Sequence, residues 1–310
     1  MKKDSKIFVA GHNGLVGSAI LRQLQKEDYS NLICKNRDGL DLLDSSAVEE
    51  FFSIEKPEYV FLAAAKVGGI HANNTYPADF IFQNLQVQNN VIHNAYLNNV
   101  KKLIFLGSSC IYPRECPQPI KEEFLLTGPL EKTNEAYAVA KIAGIKMCQS
   151  YNKQYGTKFI SVMPTNLYGI NDNFDLETSH VLPALLKKFH DAKINNESEV
   201  VMWGSGSPMR EFLFVDDMAD ACVYLMNNYD EGEIVNIGTG EDLAIKDLAL
   251  LIKDIVGFKG KIVNDISKPD GTPRKLLDVS KLRDLGWKHE TGLRKGIEKT
   301  YVWFLENYKN

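Results

Sequence analysis

Of the 310 residues only five are cysteine: Cys34, Cys110, Cys116, Cys148 and Cys222. The number is odd, and neither a Cys-x-x-Cys pair nor a Cys/His cluster occurs. That excludes a disulfide framework and a zinc site of ordinary spacing, so no metal is expected and the chain reads as reduced and intracellular. No apolar run approaches the roughly 20 residues of a membrane span. There is no excess of basic charge either: the formal net charge is −4. A general nucleic-acid surface would need a basic face, so none is expected. Internal repeats, low-complexity tracts and long linkers are absent. The opening stretch "MKKDSKIFVAGHNG" loses its apolar character at His12 and Asn13, too soon for a secretory h-region. A cytoplasmic protein is expected, with neither a membrane nor a nucleic acid as partner.

What is present is the pattern of an ordinary soluble domain, 44% apolar and 25% charged. Short apolar runs alternate with helical periodicity. "KIFVA", "NLICK" (31–35), "EYVFLAAA", "KKLIFLGS" and "KFISVMPTN" read as strands. Between them lie helical segments, among them long ones over 77–98 and 135–152. Strands apolar on both faces, each followed by a helix, specify an α/β fold with a doubly wound parallel sheet of Rossmann type. The alternation weakens near residue 170. A division is expected into a cofactor-binding domain, 1–170 with returning segments near 211–240, and a smaller α/β substrate-binding lobe formed mainly by 171–310.

"GHNGLVG" places Gly11, Gly14 and Gly17 between the first strand and the first helix. Gly11 serves the tight turn, Gly14 lets backbone approach a pyrophosphate, and Gly17 lets helix and strand pack closely. The helix N-terminus then offers N–H groups and positive dipole to the phosphates. Helix packing alone is the competing account of such glycines. At the end of the second strand an NAD enzyme often carries an acidic residue. Here Asn36 and Arg37 stand there, with Asp38 next. Arg37 can hold a 2′-phosphate through its planar fork, so NADP(H) is expected. Asp41 and Leu42, in "DLLD", are expected to bound the adenine pocket.

"YAVAK" sets Tyr137 and Lys141 four residues apart, on one face of a helix. A free phenol has a pKa of about 10, and a neighbouring ammonium lowers it. Tyr137 can give a proton to a carbonyl oxygen, with Ser108 as a second hydrogen-bond donor to the same oxygen.

These motifs, with "LAAAKVGGIHANNTYPADF", "LGSSCIYP", "MPTNLYG", "WGSGSPMREFL" and "SKPDGTPRKLLDV", resemble the extended short-chain dehydrogenase/reductases from about residue 6 to 306. Within them the chain is similar to the branch that makes GDP-L-fucose from GDP-4-keto-6-deoxy-D-mannose by C3/C5 epimerisation and C4 reduction. The resemblance implies an NADP-dependent oxidoreductase with epimerase activity. It extends the cofactor contacts to His12, Asn13, Leu15, Val16, Leu106, Gly107, Lys141, Pro164, Asn166, Leu167 and His180. Where the family often has Arg in the glycine loop, this chain has Asn13, which leaves Arg37 more alone with the 2′-phosphate. The resemblance also makes Cys110 the base and His180 the acid of the epimerisations, beside Ser108, Tyr137 and Lys141. Read from the residues alone, Cys110 is a small buried hydrophobe and His180 a helix-start residue. Related dehydratases carry Thr-Asp-Glu where this chain has Ser108, Ser109 and Cys110, so elimination of water is not expected.

For a GDP-sugar, Lys188 and Arg210 are candidates for the phosphates, Trp203 for the base or sugar, and Asp270 and Arg274 for closing over the nucleotide. Lys188 on a solvated helix face is the plain alternative; Arg210 interrupts an apolar strand, where an unpaired guanidinium is costly. In the wider superfamily the two long helices often pair into a four-helix dimer interface, so a homodimer is expected. The competing functions are an NAD-dependent nucleotide-sugar 4-epimerase, which would not consume its cofactor, and a non-catalytic cofactor-sensing scaffold on the same fold.

Overall fold

The computed structural model describes residues 1–267 and 270–308. The chain begins β1 (Ile7–Ala10), α1 (Leu15–Lys26), β2 (Leu32–Ile33), α2 (Ser45–Glu55) and β3 (Tyr59–Leu62). It continues α3 (Ile70–Thr75), α4 (Pro77–Leu97), β4 (Lys102–Leu106), α5 (Glu135–Tyr155), β5 (Phe159–Pro164) and β6 (Asn166–Tyr168). Then come α6 (Val181–Ile194), β7 (Glu199–Trp203), β8 (Met209–Phe214), α7 (Val215–Asn228), β9 (Val235–Ile237) and β10 (Asp242–Ala244). The last elements are α8 (Ile245–Val256), β11 (Lys261–Asp265), β12 (Arg274–Lys275), α9 (Ser280–Asp284) and α10 (Leu293–Asn307).

Six parallel strands form the main sheet in the order β2-β1-β3-β4-β5-β9. The central strands β1, β3, β4 and β5 are almost entirely buried, as helices on both faces require. One core cluster lies between the sheet and the α1/α7 layer, and a second between the sheet and the layer of α2, α4 and α5. Order 2-1-3-4 reverses direction between β1 and β3, and that switch opens a crevice at the carboxyl ends of the strands. Both the glycine loop after β1 and the 107–112 segment after β4 emerge there.

β8 organises the second half. Residues 212–214 pair with β6, while 209–211 pair with β10 on one side and 209–210 with β12 on the other. A third core cluster, rich in phenylalanine, packs α6, α8 and α10 together. α7 returns to lie on α1, and β9 joins the main sheet beside β5, so the chain crosses from one half to the other and back. Among the described residues no helix is long and apolar enough to cross a membrane.

Two local expectations differ from what is observed. The second strand shrinks to Leu32–Ile33 because it lies at the sheet edge and pairs only with β1. A short helix, α3, stands where the glycine pair and a following proline in "VGGIHANNTYP" concealed any periodicity.

Candidate active site

The glycine loop is built for close approach. Gly11 has φ +85°, and a Cβ there would stand 2.7 Å from the Ala64 nitrogen. At Gly17 a Cβ would fall 2.1 Å from the Gly11 oxygen, an impossible overlap. Gly14 caps α1 with neither a side-chain acceptor nor an acidic residue in the first turn. The first-turn N–H groups therefore have no capping side chain, the arrangement that suits a pyrophosphate. The His12 Nδ1 is buried without a protein partner beside this loop. Leu15 and Val16 are half-buried against the first core cluster, and Asn13 is exposed. These residues fit a dinucleotide.

At the adenosine end, Arg37 reaches Asp41 at 3.4 Å across one helical-type spacing. Both groups are substantially exposed, so the pair is weak and the guanidinium can exchange it for a phosphate. Asp41 Oδ1 also accepts from the Leu43 N–H at 3.0 Å, and the Leu42 carbonyl accepts from Asn90 Nδ2 at 2.9 Å. Asn90 is one of several α4 amides that the sequence did not single out. Asn84 brackets the Lys66 backbone through both its N–H and its C=O, and Gln88 donates to the Ala140 carbonyl at 2.7 Å. All three are buried.

β4 delivers the reactive groups. It ends at buried Leu106, and Gly107 follows because a Cβ there would meet Met163 Sδ at 2.7 Å. Ser108 caps the short 3-10 turn 109–111, its Oγ accepting from the Cys110 N–H at 3.2 Å. That turn folds the thiol back beside the hydroxyl. The Ser108 hydroxyl also hydrogen-bonds the Tyr137 phenol. One turn along α5, Lys141 is 3% exposed and donates to the Leu106 carbonyl at 2.8 Å. Pro164, Asn166 and Leu167, at the ends of β5 and β6, are half-buried, and Asn166 Nδ2 donates to the Glu211 carbonyl at 2.8 Å.

The electrostatics of the pair differ from expectation. Burial pushes Tyr137 well above the usual phenol range, and negative charge on Cys110 adds to it, against the pull of the Ser108 hydrogen bond. Lys141 does not offset this. Its Nζ lies 5.7 Å from the Tyr137 ring centroid and is aimed at a carbonyl, and burial brings its own pKa down to about 7. The phenol is thereby kept protonated.

Cys110 goes the other way. Burial alone would raise its pKa, but the Lys275 charge and hydrogen bonds from Ser108, Lys275 and Asn134 together hold it below the usual thiol range. Lys275 Nζ donates to Sγ at 3.4 Å and Asn134 Nδ2 at 3.3 Å. Neither residue was anticipated. Lys275 arrives from β12, 165 residues further along the chain, and Asn134 sits just before the helix that carries "YAVAK".

His180 caps the N-terminus of α6. Its ring is exposed in a cleft crowded by protein, and that crowding, followed by the Lys275 charge, holds its pKa below the ordinary imidazole value. The loop before it is stapled by Asp175 and rests on Gly69, whose N–H donates to the Thr178 carbonyl at 2.9 Å. A Cβ on Gly69 would press 2.8 Å from the Ser179 oxygen.

Around the mouth, Lys188 lies 4.8 Å over the Trp203 ring and donates to the Val201 carbonyl, whereas Lys187 turns away to Asp191. Trp203 is 57% exposed. Arg210 is half-buried; burial lowers its pKa and negative charge on Cys110 partly restores it. Among the described residues no carboxylate pairs with Arg210. The two residues expected to close over the nucleotide are engaged elsewhere. Asp270 accepts from Ser205 N and Oγ at 2.8 and 2.6 Å, fastening the 204–206 turn. Arg274 binds Asp242 in bidentate fashion at 2.6 and 3.2 Å. Each found a partner on the neighbouring segment that β8 brings alongside. Lys268 and Pro269, in the same stretch, lie outside the described residues.

The chain therefore combines a glycine loop that fits a dinucleotide, a Ser–Tyr–Lys group whose lysine is buried, and a thiol flanked by a cation. It matches the NAD dependent epimerase/dehydratase family over residues 7–238. Putative GDP-L-fucose synthase 2 of Arabidopsis thaliana is 65% identical over 307 residues, covering 99% of this chain and 94% of that protein. GDP-L-fucose synthase of Escherichia coli strain K12 is 57% identical, with 97% of each chain covered. Among solved structures, a GDP-L-fucose synthetase from Naegleria fowleri bound to NADP superimposes with a TM-score of 0.93 at 34% identity, covering 99% of this chain and 96% of that one. By whole-length likeness and by the content of its crevice, the chain belongs to the NAD dependent epimerase/dehydratase family.

Proposed function

We propose that the protein converts GDP-4-keto-6-deoxy-D-mannose to GDP-L-fucose, inverting C3 and C5 and then reducing C4. The observation that carries this is the Cys110 sulfur, placed by one tight turn beside the Ser108–Tyr137 pair and flanked by Lys275 at 3.4 Å. A simple ketone reductase needs no such thiol.

Hydrogens beside a ketone are acidic because the enolate spreads charge onto oxygen. Ser108 and Tyr137 donate hydrogen bonds to that oxygen as charge develops there. Cys110, as thiolate, takes the proton from carbon, and His180, as imidazolium, returns one to the opposite face, which inverts the centre; proton exchange with solvent then restores the thiolate and the imidazolium. Repeating this at the second carbon leaves the ketone in place. NADPH, when bound, supplies hydride to C4. Tyr137 then gives its phenolic proton to the oxygen, a role for which a buried, protonated phenol is suited. Gly11 to Gly17, Arg37, Asp41, Leu42, Leu106, Gly107, Lys141 and the 164–167 segment would hold the dinucleotide. Lys188, Arg210 and Trp203 would take the nucleoside diphosphate, while Asp270 and Arg274 shape the rim. In this reading residues 1–170, with the returning α7 and β9, form the cofactor domain and the remainder the substrate lobe.

Incubation with GDP-4-keto-6-deoxy-D-mannose and NADPH in heavy water tests the assignment. Mass analysis is expected to show two deuterons gained and one NADPH consumed per product. Turnover without loss of NADPH absorbance would favour a hydride-recycling 4-epimerase instead.

The pairing of α4 with α5 supports a homodimer. Phe82 and Leu97 on α4, and Val139 and Tyr155 on α5, are large, apolar and exposed. Apolar area of this kind on adjacent helices suits a second copy. Sedimentation equilibrium is expected to return twice the chain mass of 34.9 kDa; a monomer at micromolar concentration would refute it.

A further inference from the structure

Lys275 is held against Cys110 by bonds made to its flanks. Gln118 Nε2 donates to the Arg274 carbonyl at 3.3 Å, and its Oε1 accepts from the Leu276 N–H at 2.9 Å. A single amide thus brackets the backbone on both sides of the lysine, as a neighbouring strand would. Next along, Ile120 N donates to the Leu276 carbonyl at 2.7 Å. From the other side Glu211 Oε2 accepts from the Leu277 N–H at 3.0 Å, while its Oε1 accepts from Thr239 N and Gly240 N at 2.6 and 2.7 Å. Glu211 is fully buried, and these N–H groups are what hold its carboxylate. β12 has only two residues, so these tethers, with the pairing to β8, fix where the ammonium stands.

We propose that Gln118 is a positioning residue for epimerisation: with Glu211 behind the same strand, it keeps the Lys275 ammonium on the Cys110 sulfur. It thereby decides whether the ketone's neighbours are inverted before the ketone is reduced. The proposal rests on the reading of Cys110 as the carbon base. With Lys275 displaced, proton removal from carbon slows while hydride transfer to C4 need not. Product then shifts toward the 6-deoxy sugar reduced without inversion.

The groups that face Cys110 are Ser108 from its own turn, Asn134 and Tyr137 from the start of α5, Arg210 from β8 and Lys275 from β12. The recess beside it is also lined by Arg114, paired with Glu131, and by Arg274, which is paired with Asp242 outside the recess. Lys275 donates directly to the sulfur, so its removal dominates the pH response.

The test uses the full chain with NADP bound. The pH dependence of iodoacetamide alkylation at Cys110 is followed by peptide mass analysis for the unsubstituted protein, Gln118→Ala, Lys275→Met and the double variant. Gln118→Ala is expected to raise the alkylation midpoint by about one pH unit. Deuterium incorporated from heavy water per NADPH consumed is expected to fall about tenfold, the rate ratio that one pKa unit represents. Because both residues act through one contact, the double variant is expected to match Lys275→Met. An unchanged midpoint in Gln118→Ala, or additive shifts in the double variant, overturns the proposal. Should Gln118→Ala unfold, Gln118→Met keeps the volume, loses both bonds and is read identically. Full deuterium exchange in Cys110→Ser would instead overturn the role of Cys110 as base, whatever the alkylation midpoints show.

Discussion

Tyr137→Phe is expected to slow hydride transfer to C4 by about 10²- to 10⁴-fold, the usual span for a lost general acid. In the proposed mechanism the phenol protonates the oxygen. In that mechanism Ser108 only hydrogen-bonds the oxygen, since an alcohol that must give up its proton outright is a far weaker acid. Phenylalanine keeps the edge-to-face contact with Phe80, 6.3 Å between centroids, so the helix and its packing remain. The pH dependence follows from the neighbouring lysine. Burial lowers Lys141 to about 7, so its ammonium is present below that pH and is lost as pH rises through it. If the ammonium is the working form, kcat/KM for NADPH should fall above about pH 7, because that ratio reports the free enzyme. Stopped-flow measurement of NADPH oxidation across pH checks both statements. A Tyr137→Phe enzyme retaining more than about a tenth of the rate would remove the phenol from the reaction.

Cys110→Ser is expected to abolish exchange of the C3 and C5 hydrogens with solvent, again by about 10²- to 10⁴-fold, while NADP binding persists. Oxygen replaces sulfur with little change in volume, so the turn and the Ser108 hydrogen bond to the backbone survive. What disappears is a thiol whose ionised form Lys275 and the surrounding hydrogen bonds favour. Lys275 and Asn134 would then hold a hydroxyl whose proton even an adjacent ammonium cannot remove in quantity. The readout is deuterium incorporation by mass spectrometry, with NADP affinity by fluorescence as the control. Undiminished exchange would transfer the base role to another residue.

Much of this arrangement could be read from residue order. Apolar runs alternating with helical periodicity specify the parallel sheet, since only strands buried on both faces carry such runs. The glycine spacing and the four-residue step from Tyr137 to Lys141 are local, so they survive in a linear text. Cys110 and His180 were reached through resemblance, because a thiol and an imidazole carry no pattern of their own. Lys275, Asn134, Gln118 and Glu211 were not reached at all. Their meaning lies in contacts made across long stretches of chain, and nothing near them in sequence points to a sulfur. Asp270 and Arg274 were legible as charged residues near the mouth but not as ones already paired, because the partners Ser205 and Asp242 come from separate turns. The pKa of Tyr137 was misjudged for a related reason: spacing places a lysine near the ring, but only the folded core determines that burial outweighs it.

The thiol and the ammonium that activates it are separated by more than half the chain. A cut anywhere between them would part base from activator without touching either residue: deprived of β12, the same sulfur loses the cation that favours its ionised form.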